Sequence, residues 1–498
     1  MAASGVKTRH KDYDRFYPQW ERVRDVVAGQ DMIYSKGVNY LPSLVNEEPA
    51  EYLARQRRTP FFNASWRTMA SFVGLLFRKA AILEVPEKIK PLLDDVTMSG
   101  IDFNSFAQEV ALEDIEVSRV GVLVDYPQTE INPNRTVEQA EALGLRPSMV
   151  LYRTESIINW HYEYINNKTV LSQVRLLETA VMQKTEFEYE EEKRIRVLDL
   201  IFNGKVYRQR LFKEDTEEQI GGDIIPLMNG QPLDFIPFYI IGPDGATPEV
   251  SEPILIDLVD LNLKHFQVSA DYEHGCHFTG LPQPYIVGAN QQFNSETGLP
   301  IPQTYPIGST NAWVLPVGGE AKYMEFTGQG LTALENNLNR KEAQMAAIGA
   351  RMLTPEKAGV EAAETLAMRH SGEHSILGAV AVAVSTGLLE ALKTFVSWAG
   401  QTVTAENVKF AINRDFMPFI LSPQALTALL SAVQAGKLSH EAFFELLQRG
   451  DMIDPDTTFE DEQARIDANP PMPDPVLGGN NPNDPENNTP ANRSEGNG

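Results

Sequence analysis

The chain has 498 residues, 42% of them apolar, and a formal net charge of −25. That length supports a large core divided among several lobes, and the acidity excludes a conventional nucleic-acid-binding surface, which needs cations to meet phosphates. One cysteine, Cys276, excludes an internal disulfide framework, and Met1–Tyr13 lack the apolar stretch of a signal peptide.

The first 125 residues read as helices. Asp14 to Ala28 carries Phe16, Trp20, Val23 and Val27 at helical spacing, with Gly29 as a stop. Asn46-Glu47-Glu48-Pro49 reads as a helix start, with Asn46 as the cap and the proline where no N–H is needed. Further helices are expected over Ser65–Phe77 and Phe103–Ser118, followed by a short strand at Gly121–Val124.

From Arg146 to Ile241 the apolar period changes to two. Ser148–Tyr152, Thr169–Thr179, Arg194–Phe202 and Lys205–Phe212 read as strands, and Asn203-Gly204 as a hairpin turn. The acidic run Glu186–Glu192 reads as a solvated edge or turn.

Helices return after Ser251-Glu252-Pro253, where Ser251 is the expected cap. The next helix, to about Tyr272, is apolar on two faces: Ile254, Leu258, Leu261 and His265 on one, Leu255, Val259, Leu263 and Phe266 on the other. Such a helix needs neighbours on both sides, and copies of the chain in a ring are the expected source. Residues 276–320 are rich in Pro, Gly and aromatics and read as an insertion. Leu331 to Met352 forms a second helix, with Leu331, Leu334, Leu338, Met345 and Ile348 on one face and Asn336, Asn339, Arg340 and Lys341 opposite.

Thr354-Pro355 and Gly359 interrupt the helical run. A long helix is expected over Val360–Trp398. Its apolar run Ile376–Leu389 is shorter than the ~18–20 residues that cross a bilayer, so it reads as a core helix with no membrane role. Two short helices follow, opened by Ser422-Pro423 and Ser439 and closed by Gly436 and Gly450. Residues 451–498 hold 11 Asp or Glu against Arg465 and Arg493. From Ala468 the composition is too poor in apolar residues to fold.

No chemical motif stands out. His370-Ser371-Gly372-Glu373-His374 matches one zinc-peptidase spacing, but Gly372 weakens the helix that would hold the ligands, and no third ligand is marked. His274, Cys276 and His277 lack the partners of a tetrahedral metal site, and no phosphate-binding glycine loop is present. The chain reads as a non-enzyme without metal or cofactor.

The order of elements, together with Tyr52–Phe61, Thr68–Lys79, Val117–Pro127 and Asp257–Asn262, resembles the portal proteins of tailed bacteriophages. That resemblance implies an α+β, predominantly helical fold with wing, stem, clip and crown. The wing would span 1–250, with a helical lobe at 1–125 and a β-rich lobe at 126–250. Stem helices at 251–275 and 326–352 would flank a clip at 276–325. A tunnel loop at 353–362, a long wing helix at 363–404, a crown at 405–467 and a disordered acidic tail at 468–498 would follow.

The resemblance also implies a homo-oligomeric ring, commonly a dodecamer, at one capsid vertex of the virion, assembled in the host cytoplasm. Double-stranded DNA would pass through it during packaging and ejection. The terminase large subunit and then a head–tail adaptor would dock on it, within a shell of major capsid and scaffolding proteins. Leu353, Thr354, Pro355, Glu356 and Lys357 would face the channel, with Arg340, Lys341 and Arg351 as channel cations. The competing readings are a metal-dependent peptidase built on His370, Glu373 and His374, and a scaffold or adaptor without a channel.

Overall fold

The structure, a computed structural model, describes residues 5–127, 143–165, 167–243, 249–280, 283–287, 317–324, 329–351, 375–414, 423–450 and 457–468, with a few isolated positions between them. Helices and antiparallel sheets both contribute, as the α+β class requires. The chain forms two units, residues 1–416 and 417–498.

In the larger unit, helix α1 (Lys11–Ala28) buries Tyr13, Phe16, Trp20, Val23 and Val26 along one stripe. It stops at Gly29, whose φ of +95° suits a residue without a side chain. Helix α2 (Gln30–Lys36) follows directly. Helix α3 (Pro49–Arg58) begins two residues later than Asn46 would set it. Asn46 lies at φ +60°, and the cap is Glu48, whose N–H donates to Glu51 at 3.4 Å. The carboxylate at position 51 can reach back over the first turn, which the amide of Asn46 cannot do from two residues upstream.

Helix α4 (Ala64–Leu76) is capped by Asn63, which accepts from the Trp66 N–H at 3.0 Å. Strand β1 (Ile82–Glu84) and the single turn α5 (Lys90–Leu93) lead to helix α6 (Phe103–Val117). Asp102 caps α6 through Asn104 and Ser105, and Ser118, at φ +59°, ends it.

Strand β2 (Val120–Asp125) lies between β3 (Ser148–Arg153) and β11 (Phe238–Ile241) in a three-stranded antiparallel sheet. Between these, β4 (Ile157–Ile165), β5 (Lys168–Gln183), β6 (Tyr189–Ile201), β7 (Val206–Lys213) and β8 (Gln219–Ile224) form a five-stranded meander. The β6–β7 turn carries φ +59° at Asn203 and +78° at Gly204, as that pair of residues demands. The two-residue strands β9 (Leu227–Met228) and β10 (Gln231–Pro232) complete the β-rich block.

Helix α7 (Ile256–Gly280) starts three residues after Pro253, so Ser251 is not its cap. Strands β12 (Gln283–Val287) and β13 (Glu320–Met324) pair as an antiparallel ribbon, and helix α8 (Gln329–Arg351) follows. The expected long helix is described from Ile376 to Trp398 (α9); its earlier part, 360–374, lies outside the described residues.

By length and composition, the 23 residues of α9 are enough to cross a bilayer, longer than the apolar run alone had implied. The helix is nonetheless packed inside the unit, against α6, β2 and β11. Its polar atoms are paired there: Ser385 Oγ accepts from the Ile412 N–H at 2.9 Å, and Trp398 Nε1 donates to the Leu227 carbonyl at 3.0 Å. A Cβ at Gly387 would fall 2.4 Å from Ile241, so glycine lets β11 lie directly on the helix.

Strand β14 (Lys409–Ala411) pairs with β1. Residues 405–416, expected with the C-terminal crown, are therefore part of the larger unit. The smaller unit holds α10 (Pro423–Gln434), α11 (His440–Arg449) and α12 (Phe459–Ala468). Gly436 at φ +68° and the Ser439 cap on Ala442 provide the punctuation read from the sequence. The tail beyond Ala468 lies outside the described residues.

One buried charge cluster joins α1 to α6. Arg24 donates to Glu113, Glu116 and Glu155, so one guanidinium serves three carboxylates. Burial, and after it the nearby Glu113, push the Glu116 carboxyl up to about 7 against the pull of Arg24. The folded protein thus holds this proton more tightly than the unfolded chain, whose value lies near 4.5. Its stabilising contribution is complete below that value and declines as pH rises towards 7. Glu116→Gln removes the buried charge and keeps an acceptor for Arg24. It should raise unfolding stability at pH 8 by about 1–3 kcal/mol and leave it unchanged at pH 5. Urea melts of both proteins at the two pH values check this; equal gains at both would contradict it.

Candidate functional site

Helices α7 and α8 lie side by side and antiparallel: Gly275 meets Leu331, and His265 Nε2 lies 3.2 Å from Glu342 Oε1. At 1.5 Å per residue they are about 37 and 35 Å long. The β12–β13 ribbon, registered from Gln283 opposite Met324 to Val287 opposite Glu320, sits between them in the chain.

The two halves of α7 live in different surroundings. Leu258, Val259, Asn262, Leu263, His265, Phe266, Ser269 and Ala270 are buried, packed against α1, α3 and α4. Phe266 meets Phe61 edge-on at 5.6 Å. The expectation that both apolar faces of this helix wait for neighbouring subunits is therefore corrected for its first half: the chain's own N-terminal helices cover them. From Asp271 onward the side chains are half-buried or exposed. On α8, Met345 is the one fully buried side chain among those described.

The anchor of the buried half is Asn262, which is fully enclosed. Its Oδ1 accepts from the N–H groups of Ala64 and Ser65 at 3.0 and 3.1 Å and from Ser65 Oγ at 3.1 Å; its Nδ2 donates to the Phe62 carbonyl at 2.8 Å. The first amides of α4 would otherwise be orphaned inside the protein. A polar residue on an apolar helix face was the only sequence signal of this role. Gly275 was also missed as a contact: glycine inside a helix costs roughly 1 kcal/mol, and here it admits Leu331, to which a Cβ would stand 2.7 Å away.

Of the residues assigned to the channel from the sequence, Arg340 is exposed and donates to Asn337 at 3.1 Å. Lys341 is half-buried on the same helix. Arg351 closes α8, and its side chain is outside the described set. Leu353, Thr354, Pro355, Glu356 and Lys357 lie outside the described residues, as do His370, Glu373 and His374.

Among the described residues no three His, Cys, Asp or Glu side chains gather as a metal site. His274 stands on the last turns of α7, its imidazole held below its ordinary value by burial and then by Arg55 and Arg58. Its ring packs edge-on against Phe278 at 4.7 Å.

The pair as a whole is acidic, with Asp257, Asp260, Asp271 and Glu273 against Lys264 on α7, and α8 alone is slightly cationic. Helix α8 carries Glu335 and Glu342 against Arg340, Lys341 and Arg351, in a protein of net charge −25. Its exposed residues include Asn336, Asn339, Arg340 and Gln344 together with Glu335 and Glu342, a polar surface of mixed charge. The arrangement presents two paired helices of opposite slight charge, α7 acidic and α8 weakly cationic.

Residues 254–399 match the family model of a domain of unknown function (DUF4055). That span runs from the start of α7 to the end of α9. No curated protein matches the chain. Among solved structures, the chain is similar to one in the neck of an empty GTA particle computed with C6 symmetry, at 13% identity and a TM-score of 0.39, over 85% of this chain and 99% of that one. It is similar to another in the virion of a native gene transfer agent (GTA) particle, at 12% and 0.35, over 85% and 99%. A third, in the neck of a native GTA particle computed with C12 symmetry, stands at 12% and 0.36, over 81% and 94%.

Two substitutions test the geometry of the pair. Asn262→Leu keeps the volume and strands the α4 amides, and should cost about 2–4 kcal/mol in a urea melt. Gly275→Val should cost about 1–3 kcal/mol by forcing Leu331 aside; a change below 0.5 kcal/mol in either, on the order of a surface substitution, would contradict the contact assigned to it.

Proposed function

We propose that this chain is the portal subunit of a tailed bacteriophage, a structural protein without catalysis. Copies form a ring, read as a dodecamer, at one capsid vertex. Duplex DNA enters and leaves through its centre, the terminase large subunit docks on it during packaging, and a head–tail adaptor replaces the terminase afterwards. Major capsid and scaffolding proteins surround it in the assembling particle.

The observation that carries this reading is the divided helix. The first half of α7 is locked into the core, while its second half and nearly all of α8 have little cover beyond each other, with the β12–β13 ribbon between them in the chain. A lone two-helix stalk of this length gains little from being exposed. Set beside identical stalks around an axis, it becomes the wall of a tube. The sequence phrases that resemble portal proteins support the same assignment of stem (251–275 and 326–352) and clip (276–325).

Charge supports a passive channel. A wall dense in Lys or Arg would bind successive phosphates, each contact adding salt-sensitive affinity and resisting movement. The surface of α8 offers Arg340 and the half-buried Lys341 beside the exposed Glu335 and Glu342, too few cations to grip a polyanion. Leu353–Gly359, at the end of α8, is the segment assigned to the tunnel loop, where Lys357 stands beside Glu356.

Replacing Leu353–Gly359 by a Gly-Ser linker of equal length tests the assignment. Rings should still assemble, and packaged DNA per particle should fall to near background. Packaging at the wild-type level would remove this loop from the mechanism.

A further inference from the structure

The β5–β6 hairpin reaches past its own sheet. Strand β4 accompanies β5 only as far as Leu176, and β7 accompanies β6 only from Arg194. Apart from the Lys193 carbonyl, which accepts from the Glu214 N–H at 3.0 Å, Thr179–Gln183 and Tyr189–Lys193 are paired with each other alone, forming an arm about 17 Å long. Two strands without a third, or a packed face, are marginal in water.

This arm nevertheless displays Val181, Met182, Phe187 and Tyr189, which are 64%, 49%, 84% and 67% exposed. Single exposed apolar residues are ordinary, but four at one tip mark a binding surface. Around them stand Glu186, Glu188, Glu190, Glu191 and Glu192 against Lys184 and Lys193. The partner must therefore offer an apolar hollow with a cationic rim.

The same unit contains such a hollow. Helices α4 and α8 enclose a groove of about 380 Å³ lined by Phe62, Phe72, Met345, Ala346 and Gly349. Arg67 stands exposed at its edge with its guanidinium 5.2 Å over the Phe62 ring, and it makes no ion pair among the described residues. Among the described residues Glu342 is the one carboxylate lining the groove, and it lies 3.2 Å from His265.

We propose that the arm of one copy seats Phe187 in the α4–α8 groove of the next copy, with Glu186 and Glu188 facing Arg67. Both halves of this match lie on one chain, and within that chain they stay apart: the tip is exposed and the groove open. Two different patches that fit each other generate head-to-tail association, which closes into a ring when the rotation allows. An aromatic anchor in an apolar pocket supplies affinity, and the charges at the rim set register. The proposal rests on the ring reading and adds the surfaces that would join its subunits.

Placing the photoreactive p-benzoylphenylalanine at position 187 of the full-length chain keeps an aromatic there and tests the contact directly. After irradiation, the expected result is a dimer-mass band in a denaturing gel, its cross-link mapped by mass spectrometry to residues 62–72 or 342–350 of the other chain. Rings that form normally but link within one chain, or to other residues, would overturn the arm contact and leave the ring reading standing. A protein that sediments as a monomer would overturn both. Arg67→Glu should raise the concentration for half-assembly about tenfold or more, and adding Glu186→Arg with Glu188→Arg should restore it; absence of rescue in folded protein would overturn the charge pairing.

Discussion

The enclosed side chain of Asn262 joins two parts of the chain almost two hundred residues apart, and the architecture depends on that joint. One amide group satisfies the opening N–H groups of α4 and the carbonyl of Phe62. It does so from the middle of the buried half of α7. The cost of leaving those groups unpaired away from water fixes the register of α7 against the N-terminal helices. With that half clamped, the direction in which the rest of α7 leaves the core is set, and α8 follows it through the contacts at Gly275 and His265.

The consequence is a rigid element whose outer part is poorly covered, in a chain whose surface is strongly acidic. The described residues offer no metal cluster, and the buried charges serve structure: Arg24 among its three glutamates, and Arg55 paired with Glu47 at 2.7 Å behind α3. The first ties α1, which packs on α7, to α6, and the second ties α3, which also packs on α7, to the segment before it. The features aimed outward are of a different kind: the acidic aromatic arm, the apolar groove beside Arg67, and the amide-rich face of α8.

Local patterns made much of this legible. The helical stripe of α1, the period-two strands of the meander, Asn203-Gly204 and the caps of the C-terminal helices all follow from side-chain spacing and turn chemistry, which act over a few residues. The errors arose where two local signals compete or where the partner lies far along the chain. Glu51 made Glu48, and not Asn46, the cap of α3. Val408–Ile412 reads as a strand by itself, but its pairing with β1, more than three hundred residues earlier, does not show in the sequence. The two-sided α7 was read correctly as apolar, yet periodicity cannot say whether the cover comes from the same chain or another; for the first half it is the same chain. As for the candidate site, Arg340 and Lys341 are on the described helix, and the loop from Leu353 to Lys357 rests on the resemblance alone.

Because the chain covers the first half of α7 by itself, the case for a ring moves to the outer half of the stalk, to α8 and to the arm. The most direct measurement is the mass and outline of the purified full-length protein, by sedimentation velocity together with electron microscopy of single particles. The account predicts a closed ring of identical subunits with a central hole wide enough for a DNA duplex. A particle that stays monomeric at every concentration, with no hole in projection, would contradict it.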